Sequence, residues 1–237
     1  MYYVWHRGHT QLYWDIKGGD KGQRQRQQKL NDLFVRAFGE IDNGSFVEVG
    51  CFDGINAGVI TPLADKGWKG LCLDANPGQV DACKRNHKDN KAVEVVHTAV
   101  GAFKGEVTLY GGGAGATVNE TYRNAAKSIS WTGKLNDCGK VPQTTLDELL
   151  ETHGFTPGFE VLSVDVEGNE PEVFEAFDLE KWRPKMMVVE MTDGHPDFKN
   201  KTELNKGYHN LRNQITSSGY EEVYRDIINT VYFRKDD

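Results

Sequence analysis

Short apolar runs rich in β-branched residues recur at 45–49, 70–74, 92–98, 160–165 and 186–191, and segments of helical periodicity lie between them. Ahead of the first run, Leu30, Leu33, Phe34 and Ala37 fall three and four apart. That spacing predicts one amphipathic helix over 23–38, ended by Gly39 and the Asp42-Asn43-Gly44 turn. Crossover helices suit 58–66 and 79–86, the stripe Leu146, Leu149, Leu150 predicts another over 144–152, and Val173, Phe174 and Phe177 predict one over 169–182. Strands alternating with helices imply a parallel sheet covered on both faces. After a polar-faced helix over 199–218, the runs 220–225 and 230–234 are close enough to pair as antiparallel strands through a turn at 226–229. The expected fold is α/β: a doubly wound mixed sheet, Rossmann-like, with a terminal antiparallel strand pair.

A chain of 237 residues suits a single core. Residues 1–22 are aromatic but broken by Gly8, Gly18, Gly19 and Gly22, and read as an arm ahead of one domain over 23–237. The stretch 111–139, with Gly111-Gly112-Gly113, Gly115, Gly133 and Gly139, fits no element and reads as an irregular insertion, a lid or substrate loop. No window approaches the apolar length of a membrane span, and the start lacks the apolar stretch of a secretory signal, so the expectation is a cytoplasmic protein with no membrane partner. A formal charge of -7 argues against nucleic acid as a partner. Cys51, Cys72, Cys83 and Cys138 form no CxxC pair, and the first two lie in or beside apolar runs. They read as reduced core thiols rather than disulfides or a zinc site.

In an open α/β sheet, ligands bind beyond the carboxyl ends of the strands. The first run leads into Glu48-Val49-Gly50-Cys51-Phe52-Asp53-Gly54, where glycine lets a ligand approach the backbone. The second ends in Asp74-Ala75-Asn76-Pro77, an acid placed to accept hydrogen bonds from a ribose diol. A nicotinamide dinucleotide oxidoreductase shares that arrangement, but the closely spaced glycines of GxGxxG are absent. Glu48 and Asp53 would repel a diphosphate and suit a cationic sulfonium with an amino group. S-adenosylmethionine is therefore preferred over NAD, and Glu48, Gly50, Asp53, Asp74, Ala75 and Asn76 are its expected contacts.

These stretches, followed by Ala99-Val100-Gly101, Thr145-Leu146-Asp147-Glu148-Leu149-Leu150 and Asp165-Val166-Glu167-Gly168-Asn169-Glu170, occur in the order and spacing of the FkbM methyltransferases. The chain resembles that family from residue 23 to about 195, with Cys51 where alanine is usual and Asp74 where glutamate is commoner. The resemblance implies S-adenosylmethionine-dependent methylation of an oxygen, often a hydroxyl of a sugar or secondary metabolite, and adds Ala99 and Val100 to the cofactor contacts. A small-molecule or glycan acceptor is the partner it implies.

An alcohol oxygen becomes a good nucleophile when a base or a bound metal takes up its proton. The fourth strand ends at Asp165 with Glu167 beyond it; the fifth ends at Glu190, followed by Asp193 and His195. Asp165, Glu167 and His195 are the catalytic candidates. Asp165 and Glu190 are candidate ligands for a divalent cation such as magnesium or manganese, since hard cations take carboxylates. Polar groups of the insertion (Asn119, Tyr122, Arg123, Asn124, Ser128, Ser130, Asn136), with Tyr122 or Trp131 as a stacking aromatic, are expected to meet a sugar. A non-catalytic module that keeps the fold remains an alternative reading.

Overall fold

The computed structural model describes residues 21–39, 41–56, 61–129 and 132–235; the arm expected over 1–22 lies outside them except for its last two residues, which open a helix. The elements run α1 (Lys21–Phe38), β1 (Ser45–Val49), α2 (Thr61–Asp65), β2 (Lys69–Asp74), α3 (Pro77–Asn86), β3 (Val93–His97), β4 (Ala99–Val100), β5 (Gly105–Tyr110), α4 (Glu120–Ala126) and β6 (Asp137–Thr144). They continue with α5 (Leu146–Thr152), β7 (Val161–Val164), α6 (Glu170–Glu175), α7 (Leu179–Trp182), β8 (Met186–Glu190), α8 (Thr202–Ser217), β9 (Tyr220–Arg225) and β10 (Asn229–Arg234).

A seven-stranded sheet in the order β3-β2-β1-β7-β8-β10-β9 forms the centre. Its first five strands are parallel, while β10 runs antiparallel to both β8 and β9. This is the doubly wound mixed sheet with a terminal antiparallel pair. Alternation along each strand separates two apolar layers. Val47, Val49, Leu71, Leu73, Leu162 and Val164 pack toward α5, α6 and α8. Phe46, Cys72, Val161, Met186 and Val188 pack toward α1 through Leu30, Phe34 and Phe38. Helix α8 buries Leu204, Tyr208, Leu211 and Ile215, the three-and-four spacing of one face. Among the described residues, no helix is long and apolar enough to cross a membrane.

Two expectations are corrected. The helix expected over 169–182 is two short ones, because the Asp178 side chain accepts from the Lys181 backbone N–H and starts α7 afresh, although Phe177 stays in the same apolar layer. The stretch 111–139 is not wholly irregular. It contains α4, capped by Asn119 Oδ1 accepting from Tyr122 N at 2.9 Å, and it leads into β6, which joins β4 and β5 in a second sheet. Ser130 and Trp131 lie outside the described residues.

Candidate active site

Beyond the carboxyl ends of β1, β2 and β7 opens a cleft of about 810 Å³, counted to its mouth. Its floor is built from Val49, Gly50 and Phe52 after β1, Leu73, Asp74 and Ala75 after β2, and Thr98, Ala99 and Val100 beside them. Asp165, Val166, Glu167 and Asn169 close it on the β7 side, and Gly113, Ala114, Ala116 and Val118 of the insertion form a small-residue wall. The insertion is tied down over this edge: Asn76 Nδ2 donates to Gly112 O at 3.0 Å, and Thr117 Oγ1 to Glu167 O at 2.7 Å.

Two floor segments converge on Asp74. Its Oδ2 accepts from Phe52 N at 2.8 Å and its Oδ1 from Asn76 N at 2.7 Å. Phe52 donates from a left-handed backbone, φ 50, which L-residues rarely adopt outside constrained sites. Burial pushes the Asp74 carboxyl up to about 6, although the bonds from Asn76 and Phe52 pull it down. Next to it, Gly50 has φ +85, and a Cβ there would stand 1.6 Å from Asp165 O. Only glycine allows this contact, and it holds the turn after β1 directly against the end of β7.

On the β7 side the chain gathers acids. Oxygens of Asp165, Glu170 and Glu190 lie within 4.8 Å of one another. Glu170 holds the turn after β7: Oε1 accepts from Val166 N at 2.8 Å, while Oε2 accepts from Gly168 N and Tyr208 OH, each at 3.1 Å. Glu167 stands in that turn with φ 54, and its carboxylate accepts a short hydrogen bond from the Tyr122 hydroxyl. Burial is the main cause that lifts all four carboxyls: Asp165 upward, Glu170 to about 8, and Glu167 and Glu190 well above their usual range. The neighbouring charges of Asp165, Glu167 and Glu170 push Glu190 further, and its Oε2 finds no donor among the described residues. Burial also raises the Tyr122 and Tyr208 phenols, so both stay protonated hydrogen-bond donors.

Of the expected cofactor contacts, Gly50, Asp74, Ala75, Ala99 and Val100 line the cleft, and Asp165 and Glu167 line it among the expected catalytic residues. Glu48, Asp53, Asn76, Glu190 and His195 do not. Glu48 pairs in register with Cys72 and points to the face opposite Val49. Asp53 folds its own turn, with Oδ1 accepting from Ile55 N at 3.0 Å and Asn56 N at 2.6 Å. Asn76 caps α3 by accepting from Gly78 N. Glu190 stands behind Asp165 in the acid group. His195 packs edge-on to Phe198, its Nδ1 accepting from Asp197 N, and Asp193 is held by the Arg212 guanidinium at 3.1 Å.

Asn119, Tyr122 and Arg123, expected to meet a sugar, are otherwise employed, Asn119 as the cap of α4. Tyr122 is buried and stacks on Phe198 at 5.2 Å, and Arg123 lies over the Tyr110 ring and donates to Leu135 O. The sequence reading missed Phe52, Gln79 and Thr98 in the lining and the Tyr122–Glu167 and Tyr208–Glu170 bonds. Asn119 followed by Tyr122 and Ala126, a capping residue before an i,i+4 apolar pair, was the available signal for α4.

A structure of a putative O-methyltransferase from Klebsiella pneumoniae superposes with a TM-score of 0.53 over 90% of this chain and 80% of its own, at 12% identity. At that identity the likeness concerns the fold. The FkbM methyltransferase from Methylobacillus flagellatus is 14% identical, with a TM-score of 0.47 over 81% of this chain, which spans 44% of that protein's length. A Podospora anserina methyltransferase bound to S-adenosylhomocysteine is 10% identical, with a TM-score of 0.47 over 81% of this chain and 72% of its own. A comparison with curated proteins gave no match. The profile of the FkbM methyltransferase domain matches residues 48–222, which contain β2, β3, β7 and β8 of the central sheet whole and β1 and β9 in part. That match sets aside the dinucleotide oxidoreductase reading: the chain belongs to the FkbM methyltransferase family.

Proposed function

We propose that the chain transfers a methyl group from S-adenosylmethionine to a hydroxyl oxygen, and that the hydroxyl belongs to a sugar, free or within a glycan. The observation that carries the reading is that Asp165 and Glu167 line the same cleft as Gly50 and Asp74. Cofactor-holding and proton-accepting groups thus share one opening. S-adenosylmethionine supplies an electrophilic methyl group on a cationic sulfur. The lining fits it: Asp74 offers a carboxylate to a ribose diol, Gly50 leaves backbone open to close approach, and the nearby acids favour a cation. Ala75, Ala99 and Val100 supply apolar contact.

Asp165 is the group we assign to the acceptor's proton. Burial raises its proton affinity, which makes a carboxylate a better base near neutral pH. Glu167, fixed by the Tyr122 hydroxyl, orients the acceptor by taking a hydrogen bond from a second hydroxyl. The proton passes to Asp165 as the methyl ether and S-adenosylhomocysteine form. A neutral polyol suits this edge because its hydroxyls donate to carboxylates, whereas a phosphorylated acceptor would be repelled. The carbohydrate class rests further on the family resemblance.

A divalent cation on Asp165 and Glu190, with Glu170 as a third oxygen donor, is the second reading, favoured by the buried Glu190 Oε2 that finds no donor among the described residues. Both readings are tested with labelled donor and a panel of glycosides, phenols, lipids and RNA. Label in glycosides is expected; label confined to phenol or RNA refutes the acceptor class, and no label in any acceptor favours a non-catalytic module. Asp165→Asn is expected to lower turnover by roughly 10²–10⁴-fold while S-adenosylhomocysteine still binds. Loss of binding along with turnover would overturn the division of labour. Activity that survives EDTA removes the cation reading.

A further inference from the structure

In the apolar layer that packs toward α1, three thiols arrive from three separate elements. Cys51 follows β1, Cys72 lies within β2 and Cys83 sits on α3. All three are fully buried, and their Sγ atoms lie within 4.8 Å of one another, with Cys51 and Cys83 at 3.9 Å. One helical turn beyond Cys83, His87 ends the same helix, and its Nε2 stands 3.1 Å from Gly54 O. The sulfur of Cys83 and the ring of His87 both press against Gly54: a Cβ built there would meet them at 2.6 and 2.7 Å. Three sulfurs therefore gather beneath the turn that follows β1, and the His87 ring lies beside Cys83 across Gly54.

We propose that Cys51, Cys72 and Cys83, with His87 swung from Gly54 O as the fourth donor, form a structural zinc site, separate from methyl transfer. A zinc–sulfur bond of about 2.3 Å in a tetrahedron requires sulfurs about 3.8 Å apart, which the Cys51–Cys83 distance nearly meets already. Four protein donors leave no open position, the mark of a structural rather than a catalytic centre. Sulfur and imidazole select a borderline-soft ion over magnesium or calcium. On binding, the ion displaces the thiol protons, which pass to solvent, and nothing is oxidised or reduced.

The electrostatics agree with the geometry. Hydrogen bonds from Cys51 and Cys72 draw the Cys83 thiol down. Hydrogen bonds with Cys72 and Cys83, followed by burial, hold Cys51 up; Cys72, although its bond with Cys51 lowers it, is raised by its bond with Cys83 and by burial, with the charge of Glu48 adding to them. That charge opposes further thiolates but favours a dication among them. Simple core packing explains one cysteine at a time; it does not explain why three meet, with a histidine one turn along the helix from the third.

The test uses the full chain produced in zinc- or cobalt-supplemented medium and purified without chelator. About one zinc per chain is expected, and the cobalt protein should show thiolate-to-cobalt charge transfer with the strong visible bands of a tetrahedral site. Cys72→Ser should cut bound metal at least tenfold, whereas Cys138→Ser, which alters the exposed cysteine, should leave it unchanged. His87→Asn should keep the thiolate-to-cobalt band and move the visible bands. If Cys72→Ser fails to fold, the wild-type cobalt spectrum decides by itself. Absence of the thiolate band, metal retained in a folded Cys72→Ser variant, or a Cys51–Cys83 disulfide in the purified protein would each overturn the proposal. None of these readings depends on catalysis, so the site and the proposed methyl transfer stand or fall separately.

Discussion

Replacing Asp74 with asparagine isolates the contribution of one carboxylate to cofactor binding. In the wild type, each carboxylate oxygen already takes one backbone N–H, from Phe52 and from Asn76, and its free lone pairs face the cleft. Asparagine keeps one of those acceptors and turns an amide toward the other N–H, so the charge-assisted bonds to a ribose are lost. A hydrogen bond to a charged group contributes about 1.5–3 kcal/mol, which is on the order of a ten- to hundredfold weaker Kd for S-adenosylhomocysteine. Titration calorimetry on the folded variant reads this directly, with circular dichroism as the control for folding. The pH profile is the sharper part. Because the Asp74 carboxyl is pushed up to about 6, the wild type should lose affinity as pH falls through about 6, where protonation removes the acceptor. The variant, with nothing to titrate at that position, should be flat over the same interval apart from any change seen in both proteins. Equal affinities at pH 7.5, or the same pH dependence in both proteins, would refute the assignment of Asp74 to the ribose.

Glu190→Gln should change stability in a pH-dependent way. The buried carboxyls are raised, Glu170 to about 8, so between about pH 4.5 and 8 the folded chain holds more protons than the unfolded one and stability falls as pH rises. Removing one of these acids should raise stability at pH 8 by about 1–3 kcal/mol in chelator and flatten that slope, as read by thermal melts; a variant that is less stable in chelator overturns the account. Added magnesium that stabilises the wild type but not the variant would point to the cation reading instead. Gly50→Ala should cost about 2–5 kcal/mol in urea unfolding, from the left-handed backbone and the contact with Asp165 O, and a loss under 1 kcal/mol would show that the two segments can part.

The central sheet was legible because its buried strands are short apolar runs at regular intervals; 45–49 and 220–225 match β1 and β9 residue for residue. The second sheet was not, since β5 alternates only Val107 and Leu109 with polar neighbours and β6 has few apolar residues. Within the site, Asp74 and Asp165 could be found because strand ends locate them. Glu48 could not be placed by that rule, because which face a strand residue takes depends on the register of its neighbours. Tyr122 and Tyr208, which fix Glu167 and Glu170, come from helices 45 and 38 residues away along the chain. The thiol group is invisible for the same reason: its members are spread over β1, β2 and α3, and only the sheet brings them together.

The contact of Gly50 with the backbone of Asp165 bears on the order of events during turnover. The turn that would receive the donor and the strand end that would receive the acceptor touch without a side chain between them, so neither can swing away and leave the other in place. On the proposed reaction, exchange of spent cofactor is therefore not expected to part these two segments like jaws. The wall of Gly113, Ala114 and Ala116, which belongs to neither segment, is the side whose movement that exchange would use.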